Sequence, residues 1–158
     1  MRALRFGFHA LIGLALAGPA LAQEAFDACE VFTQEDAEAA LGTTAQPEPV
    51  NPKVKRPKVV TKCTYTGFKE GKPVAATAEF RFGRTEGDVK HAFGEHRLQV
   101  QTKPILISGV DAFWSAKTGQ MNVRKDRTWL QISVGPPKVT DRDPDQARKA
   151  ADLLIKKL

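Results

Sequence analysis

Residues 74–82, VAATAEFRF, decide how this chain is read. Val74, Ala76, Ala78, Phe80 and Phe82 alternate with Ala75, Thr77, Glu79 and Arg81, the period of two expected of a strand with one buried side. Upstream, residues 59–66, VVTKCTYT, are rich in β-branched and aromatic side chains, and GFKEGKP between the two runs is turn material. Two such runs, so separated, predict an antiparallel hairpin with Cys63 on its first arm.

Working outward, the period changes twice. Between residues 85 and 100, Val89, Ala92, Phe93, His96 and Val100 recur at helical spacing, which predicts a helix with those five on its apolar face. Beyond Pro104 come ILI and GVDAFWS, then a Thr118-Gly119 turn, QMNVRK, an Asp126-Arg127 turn and TWLQISV. These predict a meander of about three short strands. Leu130, Ile132 and Val134 face one way, Trp129, Gln131 and Ser133 the other. Near the start, Thr33 opens a helix with Asp36 three residues on, a near capping box, and Gly42 is placed to end it. At the end, Asp143 caps a helix with Pro144 at its first position and Ala147, Ala150, Ala151, Leu154 and Leu158 on one side. The order α-β-β-α-β-β-β-α, without alternating βα units, implies an α+β single domain. Its sheet is expected to be mostly antiparallel, with about five strands and three helices.

The first residues address the chain. Arg2 and Arg5 precede an apolar run over residues 10–17, then Pro19 and Ala20-Leu21-Ala22. This is the layout of a secretory signal peptide over residues 1–22, cleaved after Ala22. The apolar run is too short to span a bilayer, and no later stretch approaches the ~20 residues a spanning helix needs. Gln23 stands where a lipoprotein would carry cysteine. Residues 23–158 are therefore expected to form one exported domain, periplasmic or secreted, without a lipid tail. Within it, residues 45–58 carry four prolines and the basic side chains Lys53, Lys55, Arg56 and Lys58, which predicts an irregular basic loop. The net charge of +6 includes Arg2 and Arg5, so the exported part is only mildly basic. That balance suits an anionic glycan or lipid surface, or an envelope protein, as partner.

Two cysteines in an oxidising compartment predict one disulfide, Cys29 to Cys63, closing a loop of about 35 residues. A redox pair would sit two residues apart, and a metal site would want more ligands nearby. His91 and His96 lie five apart, about 140° around a helix, and so do not form an i,i+4 metal pair. The sequence contains no P-loop, no G-x-G-x-x-G, no C-x-x-C-H and no G-x-S-x-G. Ser108, Asp111 and either histidine form no recognisable hydrolase signature. No cofactor, metal, catalytic residue or nucleic-acid partner is expected.

One surface invites a binding role. With Leu130, Ile132 and Val134 facing the core, Trp129 and Gln131 share the opposite side, where Arg124 and Arg81 join them. Trp114, from GVDAFWS, is assigned to the same face. Aromatic and arginine side chains on an open sheet face make a binding patch. The competing reading is that a helix lies over this side and buries Trp129. The expected function is thus a non-catalytic ligand- or partner-binding domain of the bacterial cell envelope. The alternatives are a small envelope hydrolase using carboxylates and an inhibitor of an extracytoplasmic enzyme.

DACEVFTQEDAEAALG, KCTYTGF, ISGVDAFW and TWLQISV with a final helix, taken in this order, resemble a family of small exported bacterial domains of unknown function. That family occurs in actinobacterial lipoproteins and is similar to the extracellular sensor domains of some bacterial Ser/Thr kinases. The resemblance implies a compact α/β sandwich with a bridge corresponding to Cys29–Cys63, and it carries over no catalytic residue.

Overall fold

The computed structural model of the protein describes residues 26–49, 60–100, 102–107 and 109–158. The expected signal peptide, residues 50–58 of the Pro-rich stretch, and Ser108 lie outside the described residues. The hairpin read from the sequence is β1 (Val60–Lys69) and β2 (Lys72–Phe82), paired antiparallel from Val60↔Arg81 to Lys69↔Lys72. Glu70 and Gly71 form its two-residue turn with both φ angles positive, at 52° and 74°, the twist that suits a tight hairpin.

The remaining strands are β3 (Thr102–Pro104), β4 (Asp111–Ser115), β5 (Gln120–Lys125) and β6 (Thr128–Gly135). They extend the sheet to six strands in the order β1-β2-β6-β5-β4-β3, every pair antiparallel. With α1 (Ala28–Val31), α2 (Gln34–Leu41), α3 (Glu86–Gln99) and α4 (Pro144–Leu154), this is a single α+β domain, as the order of elements predicts. Two elements differ from the reading. A one-turn helix, α1, precedes the helix opened by Thr33, with Asp27 accepting from the Cys29 N–H at 2.8 Å. The first strand of the meander is residues 102–104, not the ILI run. Ile107 meets only Val110 through an isolated bridge, and its side chain is buried in the core.

The sheet separates two unequal packing faces. On the first, Cys63, Tyr65, Ala76, Ala78, Phe80, Leu130, Ile132, Val134, Met121 and Trp114 meet α1, α2 and α4 in the main core. Thr33 caps α2 in a full capping box with Asp36, and Gly42 ends it at φ 67°. Asp143 caps α4, whose Ala147, Ala150, Ala151 and Leu154 are all buried. Small side chains there let α4 approach the sheet closely. The disulfide joins Cys29 of α1 to Cys63 of β1, with Cα atoms 5.1 Å apart, and so pins the first helix to the hairpin.

Topology explains the second face. Because β2 lies beside β6 while β3 is the far edge, the connection α3 must cross β6, β5 and β4. It therefore covers that half and, among the described residues, leaves the β1–β2 half open. Val89 and Phe93 of α3, with Phe113 and Trp129 of the sheet, make a small second core. Ala92, expected on the buried side, is exposed. The helix rests on a narrower stripe than the spacing suggests, because it lies on a sheet face with no described residue packed above it. No described helix is long and apolar enough to cross a membrane.

Candidate functional site

The strand register draws the predicted face as two rows. Arg81, Trp129, Arg124 and Asp111 are consecutive cross-strand partners over β2, β6, β5 and β4. In the next row stand Glu79, Gln131, Asn122 and Phe113. Four of the five residues singled out from sequence are thereby brought together: Trp129, Arg124, Gln131 and Arg81. Trp114 is not. It pairs with Met121, whose other neighbour is Ile132, and so lies in the main core on the opposite face. Alternation along β4 puts Phe113, not Trp114, beside Trp129.

Trp129 is 8% exposed, so the covered reading describes this half of the face. Phe93 meets it edge-on with ring centroids 6.0 Å apart, and His96 lies 5.1 Å from it. Burying an indole requires a partner for its N–H. Asn122 Oδ1 supplies it at 3.1 Å and also accepts from Gln131 Nε2 at 3.0 Å. Gln131 Oε1 accepts from Arg81 Nε at 2.8 Å, and Arg81 Nη2 pairs with Glu79 Oε1 at 2.5 Å. The Arg81 guanidinium carbon stands 5.1 Å from the Trp129 ring centre, within cation–π range. A polar chain thus runs from the buried indole through Asn122, Gln131 and Arg81 to Glu79.

Arg124 is not free for a ligand. Its Nη2 lies 2.5 Å from Asp111 Oδ2 and its Nη1 3.1 Å from Glu86 Oε1, tying the first turn of α3 to β4 and β5. The Asp111 bond raises its pKa above the usual arginine value, burial opposes this, and Glu86 adds to the rise. A cleft of about 350 Å³ beside this clasp is lined by Glu86, Asp111, Arg124, Lys125 and Asp126 with Gly109 and Val110. Glu86 and Asp111 both turn an oxygen to the same guanidinium, an arrangement that fastens a helix.

The side chains left to meet a partner stand on the open half. Lys62 is exposed, and Thr64, Thr66, Thr77, Glu79, Arg81 and Ser133 are half-buried. Thr64 Oγ1 and Thr77 Oγ1 lie 3.0 Å apart, and Thr66 Oγ1 donates to Gln46 Oε1 at 2.9 Å. The Arg81 side chain, 42% exposed, stands at the boundary between this floor and the α3-covered half. Among the described residues no three His, Cys, Asp or Glu side chains gather as a metal site.

Sequence reasoning missed Asn122, Glu79 and Thr77. Asn122 alternates with Met121 and Val123 and so reads as a solvent-facing residue of a half-buried strand. The available signal was the apolar stripe of α3, which needs a sheet face to cover and so implies buried residues on both sides of β5. No family model, characterised protein or solved structure matches this chain.

Proposed function

We propose that this chain is a non-catalytic binding domain exported to the bacterial cell envelope, its leader removed after Ala22. It engages its partner through the open β1–β2 half of the second sheet face. The observation that carries the reading is the unequal covering of the sheet: three helices pack on the first face, one crosses half of the second, and a polar floor of Lys62, Thr64, Thr77, Glu79 and Arg81 stays uncovered by the described residues. Arg81 is held in place before any partner arrives, bonded to Gln131 and stacked on Trp129. Preorganised side chains lose little entropy on binding. Its exposed cation, Lys62, favours an anionic partner: an acidic envelope protein, glycan or lipid surface. A disulfide at Cys29–Cys63 supports export to an oxidising compartment.

The test uses residues 23–158 purified with the disulfide intact. Binding is measured to vesicles with and without anionic lipid, to an anionic polysaccharide, and to envelope proteins by crosslinking and mass spectrometry. Lys62→Glu, at an exposed position, is expected to weaken binding to whichever anionic probe is retained by roughly fivefold or more at low salt. Binding unchanged by Lys62→Glu, or lost instead through changes on the first face, overturns the reading.

A further inference from the structure

The second face carries a device that stands independently of what the open half binds. Helix α3 touches the sheet through few side chains: Val89 and Phe93 are buried, Val100 packs at the edge, and His96 closes the gap between Trp129 and Phe113. Glu86 adds the clasp to Arg124 at the first turn, and Arg97 reaches the Phe113 ring. Ala92 and Leu98 face solvent, and Gly87 and Gly94 weaken the helix from within. A separate cluster of this size is a local unit whose opening costs less than unfolding the main core.

His96 is the sensitive point of that contact. Its ring lies 5.1 Å from Trp129 and 6.1 Å from Phe113, and its Nε2 is buried with no hydrogen-bond partner among the described residues. The neutral ring tolerates this apolar seat, whereas an imidazolium there has no anion to meet among the described residues. From β2 the facing charge is Arg81, whose nearest carboxylate, Glu79, is already paired with it. From β4 and β6 come Phe113 and Trp129, both uncharged. On α3 itself Arg97 stands 6.0 Å from the Phe113 ring centre, while His91 and Glu95 pair with each other away from the sheet. At the other end of the helix Arg124 binds Glu86 and Asp111. Burial, and secondarily Arg81, hold the His96 pKa below its ordinary 6.5.

We propose that α3 is an acid-released cover: a proton on His96 loosens the helix from Trp129 and Phe113 while the sheet and main core stay folded. The sign follows from linkage. The undocked His96 binds its proton at higher pH than the docked one, so docking is complete above the ordinary histidine value and weakens as pH falls through the docked value. Release uncovers Trp129, Phe113, Asn122 and Gln131 in one continuous patch beside Arg81.

Amide hydrogen exchange on the disulfide-bonded domain, corrected for intrinsic rates, tests this at about pH 7.5 and about pH 5. The opening constant for α3 amides is expected to rise roughly three- to tenfold at the lower pH, with β2 and β6 unchanged. His96→Gln and His96→Phe each abolish the rise, and His91→Gln on the exposed side keeps it. The proposal is overturned if α3 exchange does not respond to pH, or if α3 and the sheet lose protection together. A response that survives in a folded His96 variant, or vanishes in His91→Gln, overturns it equally.

Discussion

Trp129 donates its indole N–H to Asn122 Oδ1 at 3.1 Å, one strand away and under α3. The same oxygen serves Gln131, so one amide satisfies two buried donors. Asn122→Leu keeps much of the volume but leaves both donors without an acceptor. We expect it to cost about 2–5 kcal/mol in urea unfolding, more than Trp129→Phe, which strands no donor and loses only part of a buried ring. Equal costs for the two variants would contradict the shared-acceptor arrangement.

The bridge between Cys29 and Cys63 spans 34 positions. Chain-entropy reasoning gives such a closure about 4 kcal/mol, a large fraction of the ~5–15 kcal/mol typical of a domain. Reduction, or the paired change Cys29→Ala with Cys63→Ala, should lower the urea midpoint without changing the native spectrum much. Thiol titration of the denatured, unreduced protein should find no free sulfhydryl.

Asp36, near the start of α2, holds the other end of the chain through Lys157 Nζ at 2.6 Å. Burial raises the pKa of its carboxyl, but the bonds from Lys157 and Thr33 outweigh this and leave it below the ordinary 3.8. The stabilisation is therefore fully present above that value and is lost as pH falls through the lower folded one. Lys157→Gln should move the acid-unfolding midpoint upward, read by circular dichroism against pH, and have its smallest effect at the most acidic end.

Gly83 joins β2 to α3 where a β-carbon would stand 2.4 Å from Val89 Cγ2 and 2.9 Å from the Thr85 carbonyl oxygen. Gly83→Ala should cost roughly 1–3 kcal/mol by forcing the first turn of α3 away from the sheet. Its mark would be faster exchange in α3 than in β1 or α4. Uniform loss throughout the domain would show that α3 and the main core open as one unit.

Much of this architecture was legible before any coordinate. The alternation in residues 74–82 gave β2, its parity placed Arg81 beside Trp129, and the apolar members of TWLQISV do face the main core. The N-caps Thr33 and Asp143 act where their spacing implied. What escaped was set by tertiary packing. The strand 111–115 is buried on both sides, so alternation could not say which aromatic joined Trp129. The four-residue α1 is too short to show a period and owes its place to Asp27 and the bridge at Cys29. Ala92 followed the helical spacing yet is exposed, since the apolar contact of α3 with the sheet runs through Val89, Phe93, His96 and Val100.

The link from Cys29 to Cys63 also turns the intervening polypeptide, with its prolines and lysines, into a covalent ring. A protease that nicks this ring once releases no fragment: the short N-terminal piece and the body of the protein still travel together. Only a reductant parts them, so cleavage there would register on a reducing gel and leave the unreduced band in place.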